Sequence, residues 1–272
     1  MTTKEAYFDE KKSQYCISRA LFHDSIVTIT DKICEGYREL AVEDQKKQIV
    51  FIGGGSGVGK TTTITQLPIY DEIKKFNNVD ADQIKALLPE YYCEDLNRRF
   101  ADKVHDESSD LSAKMLKCYQ KLERKIVYDG TMKNTDKYRK LIKEFYDNGY
   151  EITVIFIDCE LPTAYRRVAY RERDTGREVE TEIIRDSNYL SAKTLITLLQ
   201  EFDHEIANVL IINSSCDKRE LVCSKSIDKV GITILKQDLY NEILLKSNTD
   251  NKNFMTIHDM IRLSKNTKGG KA

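Results

Sequence analysis

Short apolar runs alternate with amphipathic stretches along this chain. Gln48-Ile-Val-Phe-Ile52 is rich in β-branched residues and predicts a buried strand. Asn77 to Asp82 predicts a second strand and its exit, Lys125 to Asp129 a third, Ile152 to Asp158 a fourth and Val209 to Asn213 a fifth. Helical patterns fill the intervals: a short helix stopped by Pro68, one over about 106–122, one over 135–148 closed by Gly149, one opening at Pro162, and a long one around 182–206. Residues 219–235 predict a hairpin. Ahead of the first strand, Ile26, Ile29, Ile33, Tyr37 and Leu40 recur at helical spacing and make one apolar stripe. That stripe can cover the side of the core or dock a partner. The organisation predicted is an N-terminal helical extension (1–47), a core (48–235), and a C-terminal helix with a polar tail (236–272). Strands alternating with helices predict an α/β fold, with a mostly parallel sheet of five or more strands flanked by helices.

Charge and composition narrow the partners. The chain has 272 residues with 43 basic and 44 acidic side chains, a formal net charge of -1. This balance gives no electrostatic footprint for long nucleic acid. No apolar stretch is long enough to span a bilayer, and the polar N-terminus lacks the apolar segment of an export signal. The expectation is a cytoplasmic protein, or a secreted effector working in a host cytosol. The seven cysteines include no CxxC pair and the four histidines are scattered, which argues against structural zinc. An odd cysteine count without a leader predicts reduced thiols.

The first strand runs into Gly53-Gly-Gly-Ser-Gly-Val-Gly-Lys-Thr-Thr62. Gly54, Gly59, Lys60 and Thr61 satisfy GxxxxGK[ST], the loop that cradles a nucleoside triphosphate. Its glycines let the backbone curl so that successive amides, from Gly54, Gly55, Ser56, Gly57, Val58, Gly59, Lys60, Thr61 and Thr62, converge on phosphate oxygens. Lys60 is placed to reach the β- and γ-phosphates, and the Thr61 hydroxyl to hold Mg²⁺. A flexible glycine-rich linker is the bland alternative. It lacks both the preceding strand and the fixed Gly-Lys-Thr end.

The loop does not say what receives the phosphate. Asp80 and Asp82 fall where the second strand ends, at the carboxyl edge of the sheet, where ligands bind in open α/β folds. A carboxylate there can orient an attacking hydroxyl and accept its proton. Asp82 also suits the N-cap of the helix beginning Gln83-Ile-Lys, and the two roles overlap. Asp129 ends the third strand and fits the acid that stations Mg²⁺. Asp158, ending the fourth strand, competes and otherwise becomes a turn residue on the adenine side. Arg171, Arg173 and Arg177 lie near a helix end and the Asp174-Thr-Gly176 turn, placed as a lid over phosphates. A solvated helix face is the alternative.

With these residues in place, the sequence resembles the zeta toxin family of P-loop kinases, the toxins of bacterial epsilon/zeta-type systems. The resemblance covers about Ile49 to Cys223. It rests on GGGSGVGKTT, on VDAD followed by a helix and Leu88-Pro89-Glu90-Tyr91, on Tyr128-Asp-Gly-Thr131, on the strand YEITVIFID, and on Arg171 and Arg177. It implies a P-loop kinase using ATP or GTP with Mg²⁺. The acceptor implied is a sugar hydroxyl, in well-known members the 3′-hydroxyl of the amino sugar of UDP-N-acetylglucosamine. Carried over residue by residue, Lys60 binds phosphates, Asp82 is the general base, and Arg171 and Arg177 stabilise the transferring phosphoryl group. Thr131 lies near the substrate. A protein antitoxin is the partner implied. Two departures concern the acceptor: no acid falls clearly where the family carries a substrate-contacting glutamate before the third strand, Asp110 and Glu123 being only nearby, and the arginines are closer together than in streptococcal-type toxins. A relative among plant-pathogen effectors phosphorylates NAD. Phosphorylation of NAD or of a polynucleotide 5′-hydroxyl therefore stays open, as does a nucleotide-binding effector without metabolite chemistry.

Overall fold

A computed structural model describes residues 46–249 except 87, 89–90, 94–97, 100–103, 178, 217–218 and 228–230. The expected N-terminal helices and the polar tail beyond 249 lie outside the described residues. The seven-stranded sheet has the order β2-β5-β1-β6-β7-β8-β9. Its strands are β1 (Gln48–Gly53), β2 (Asn77–Asp80), β5 (Ile126–Asp129), β6 (Glu151–Asp158), β7 (Ile206–Asn213), β8 (Glu220–Lys225) and β9 (Thr233–Ile234). A separate two-stranded ladder pairs β3 (Tyr92–Cys93) with β4 (Arg98–Arg99). Strands β2, β5, β1, β6 and β7 run parallel, while β8 and β9 add an antiparallel extension, the expected hairpin.

The helices are α1 (Lys60–Ile64), α2 (Tyr70–Ile73), α3 (Ala81–Lys85), α4 (His105–Lys121), α5 (Thr135–Asp147), α6 (Leu161–Thr175), α7 (Thr181–Glu201) and α8 (Gln237–Asn248). They cover both sheet faces, which is why β1 reads as an unbroken apolar run. Ile49 and Phe51 enter one core, with Tyr138, Ile142 and Phe145 of α5 and Leu195 of α7. Val50 and Ile52 enter the other, with Ile64 of α1, Ile73 of α2 and Ala164 and Val168 of α6. Among the described residues no helix is long and apolar enough to cross a membrane.

Three expectations need correction. The long helix ends at Glu201 and not near residue 206. Phe202 leaves the helical region at φ -126°, ψ 39°, packs back on the core, and hands the chain to β7, which begins at Ile206 rather than Val209. The segment after Pro68 carries a further helical turn, α2, which apolar periodicity is too short to reveal. Cys118 is disulfide-bonded, against the expectation of reduced thiols, while Cys159, Cys216 and Cys223 are free. Spacing along a chain does not reveal which sulfur atoms folding brings together.

Candidate active site

The loop between β1 and α1 is shaped by close packing from behind. Gly54 has φ +136°, and a Cβ there would stand 2.3 Å from the Ile157 carbonyl oxygen on β6. Gly57 has φ +81°, and a Cβ would meet the Ala164 carbonyl oxygen of α6 at 2.4 Å. Both positions therefore exclude a side chain by conformation and by space. Lys60 curls back over the loop, and its ammonium donates to the Gly54 carbonyl at 3.0 Å. A cation thus stands across a ring of backbone amides, an arrangement able to hold a polyphosphate.

Residues not singled out in the sequence hold the outside of this loop. The Ser56 amide donates to Ser187 Oγ at 2.9 Å, and Asn188 Nδ2 donates to the Ser56 carbonyl at 3.0 Å. Both partners are buried on α7. Arg167 Nη1 donates to the Val58 carbonyl at 3.1 Å, and its Nη2 to the Ser214 carbonyl at 2.6 Å. A readable signal did exist. Ser187, Ser191 and Thr194 recur at helical spacing and are buried, a polar stripe on a helix face that should otherwise be apolar.

The carboxylates sort by local geometry. Asp80, not Asp82, is the N-cap of α3, accepting from the Asp82 amide at 2.8 Å. Asp82 sits in the first turn, free of the capping role. Its Oδ1 meets Lys85 Nζ at 3.0 Å and its Oδ2 meets Arg177 Nη2 at 2.8 Å. Burial works against the charge on Asp82, but Arg177 and Lys85 outweigh it and hold the carboxyl well below the usual carboxylate range. Asp129 lies opposite Ile52 of β1 and Asp80 of β2 in the parallel ladder. Burial pushes its carboxyl up to about 6, with Asp80 and Asp82 adding to the rise and Lys60 opposing it. Burial also raises Asp80. Thr61, Asp80 and Asp129 line one cavity of about 250 Å³ beneath α1.

Asp158 is neither a turn residue nor a free acid. It is buried at the end of β6 and paired with Lys246 of α8. The arginines divide as well. Arg173 is exposed and stacks over the Tyr170 ring at 5.0 Å, so it is not part of the lid. Arg171 and Arg177 turn inward, and each Nε is buried without a hydrogen-bond partner. Burial and the neighbouring Arg177 lower Arg171. Gly176 caps α6 in the left-handed region and turns the chain so that Arg177 faces Asp82. Thr131 is half-buried just past β5, before Met132, which is buried with φ 57°. Neither Asp110 nor Glu123 supplies a further acid: Asp110 is exposed on α4, and Glu123 pairs with Lys47 beside the start of β1.

The site therefore combines the anion-shaped loop with its Lys60, the cavity lined by Thr61, Asp80 and Asp129, and an Asp82 held between Lys85 and Arg177. Such an arrangement can bind a triphosphate, neutralise its terminal group, and present a carboxylate to an incoming hydroxyl. Solved structures share the fold. A structure of AvrRxo1-ORF1:AvrRxo1-ORF2 with sulphate ions superposes with a TM-score of 0.68 at 16% identity, covering 91% of this chain and 80% of that one. One of AvrRxo1-ORF1:-ORF2 with ATP gives 0.66 at 15% identity, again over 91% and 80%. A chain of the PezAT chromosomal toxin-antitoxin system of Streptococcus pneumoniae gives 0.53 at 18% identity over 90% and 95%. No curated protein matches the chain in sequence. The family model described as "Zeta toxin" matches residues 31–227, the stretch that carries the loop, both acids and both arginines. The chain belongs to the zeta toxin family and is a P-loop kinase, a phosphotransferase.

Proposed function

We propose that this kinase transfers the γ-phosphate of ATP to a hydroxyl of a nucleotide-bearing metabolite, with UDP-N-acetylglucosamine as the first candidate. The observation that carries the reading is the convergence of Arg177 on Asp82 at 2.8 Å, in a chain whose phosphate loop is closed by Lys60. In this reading Lys60 draws the β- and γ-phosphates into the loop. Asp82 orients the acceptor hydroxyl and takes its proton as the phosphorus–oxygen bond forms. The buried, unsatisfied Nε groups of Arg171 and Arg177 give the transferring phosphoryl oxygens donors that the protein itself leaves unused. Thr131 contacts the acceptor.

Magnesium fits the residues present. The Thr61 hydroxyl and the Asp129 carboxylate supply hard oxygen ligands in one cavity, and a bound cation would offset the burial that raises the Asp129 carboxyl. Bound there with ATP, Mg²⁺ supplies neutralisation of the β- and γ-oxygens. The neighbour described with ATP supports ATP as donor. The ORF1:ORF2 and PezAT neighbours support a protein partner acting as antitoxin.

The test is to incubate the protein with γ-labelled ATP and a pool of metabolites, then identify the labelled product. A labelled UDP-sugar supports the reading. A labelled dinucleotide or oligonucleotide moves the acceptor to NAD or a polynucleotide. ATP binding without any labelled product contradicts the kinase reading.

A further inference from the structure

Lys85 enters none of the roles above, yet it is more deeply buried than the acid it holds. Its side chain is 8% exposed, against 47% for Asp82. A lysine ammonium is left this far from water only when paired. The two residues sit three apart on α3, so the contact belongs to one helical turn and holds without help from any other element. Arg177 is attached differently. It reaches Asp82 Oδ2 from beyond the α6 cap, carries an unsatisfied buried Nε, and lies beside Arg171, whose like charge repels it. One partner of Asp82 is local and buried. The other comes from a distant element and has an unused donor.

We propose that Lys85 is a positioning residue that holds Oδ1 of Asp82 permanently, whereas Arg177 occupies Oδ2 only until a nucleotide phosphate draws it away. At rest, Arg177 blocks the carboxylate oxygen that an acceptor hydroxyl needs, and keeps Asp82 a weak base. A bound γ-phosphate is a better partner for a guanidinium than a single carboxylate oxygen. Once Arg177 moves, Oδ2 is free and Asp82 gains basicity, while Lys85 keeps it ionised and aimed. The base is thereby withheld until the donor has arrived. Among the described residues, the charged groups facing Asp82 are Lys85 on α3, Arg171 and Arg177 from α6 and its exit, and the Asp80 and Asp129 carboxylates at the ends of β2 and β5, with Lys60 behind those two.

This inference rests on the reading of Asp82 as the base, and its test has one arm independent of that reading. The full chain, Lys85→Met and Lys85→Arg are labelled with carboxyl-¹³C aspartate. Asp82 is assigned by its loss in Asp82→Asn and titrated with and without Mg²⁺ and a non-hydrolysable ATP analogue. In Lys85→Met the Asp82 midpoint should rise by about one pH unit or more, and further once the analogue is bound. Lys85→Arg should restore it. In the native chain, analogue binding alone should raise the midpoint as Arg177 leaves. An unchanged midpoint in Lys85→Met overturns the assignment to Lys85, and no response of the native chain to the analogue overturns the exchange. The second arm measures phosphoryl transfer to UDP-N-acetylglucosamine. There Lys85→Met should lower kcat about tenfold or more with the KM for ATP nearly unchanged, and Lys85→Arg should recover it. Equal kcat in the native and Lys85→Met chains overturns the positioning role. A native chain that transfers nothing to UDP-N-acetylglucosamine sinks that acceptor and leaves the titration to judge Lys85. If Lys85→Met does not fold, Lys85→Gln carries the same comparisons.

Discussion

Lys246, in the last turn of α8, places its ammonium 2.8 and 2.6 Å from the two carboxylate oxygens of Asp158 and donates to the Cys159 carbonyl at 2.8 Å. Both side chains are shielded from water, at 13% and 3% exposure. The pair ties the C-terminal helix to β6, the strand whose Ile157 carbonyl backs Gly54 of the phosphate loop. Removing one partner of a buried pair strands the other. Lys246→Met should therefore cost about 3–5 kcal/mol in urea unfolding, and adding Asp158→Asn should recover part of the loss. A loss below about 1 kcal/mol in the single variant would show that the contact contributes little beyond surface pairs.

This pair also marks where the sequence stopped being readable. Asp129 and Asp158 both end apolar strands, and both strands flank β1. Proximity to the loop strand therefore does not separate them. What does is Lys246, far along the chain, which takes Asp158 out of the site and leaves Asp129 facing Lys60. The five parallel strands, the loop and the antiparallel hairpin were legible because they depend on local pattern, whereas the two-residue strands β3 and β4 are too short to leave one. The division of labour between Asp80 and Asp82 was not, because a two-residue shift in a helix cap decides it. The arginine run was legible as a group, but only the helical turn sorts Arg167 to the loop, Arg173 to Tyr170 and Arg171 inward.

Asp129 gives a pH-dependent signature in metal-free protein. Its folded-state carboxyl is raised to about 6. The folded chain then binds a proton that the unfolded chain has already lost, so stability falls as pH rises from about 4 through 6. Asp129→Asn removes this penalty. In the presence of a chelator its Tm should exceed that of the native chain at pH 7.5 and match it near pH 4. An equal shift at both pH values would mean that the substitution acts through packing and not through the charge.

Asn188 tests the support behind the loop. It is buried, and its amide donates both to Ser56 on the loop and to Ile184 on its own helix. Asn188→Leu leaves the Ser56 carbonyl without that donor, at about 1–3 kcal/mol. ATP affinity, read by calorimetry, should fall about tenfold. Unchanged affinity would show that the loop keeps its shape without α7.

The most direct test of the account compares Asp82→Asn with the native chain, measuring ATP binding and transfer of label from γ-labelled ATP to an acceptor hydroxyl in the same preparations. Asp82→Asn should bind ATP at least as tightly as the native chain and transfer no label, while Lys60→Ala loses both. Full transfer by Asp82→Asn would contradict the assignment of Asp82 as the base.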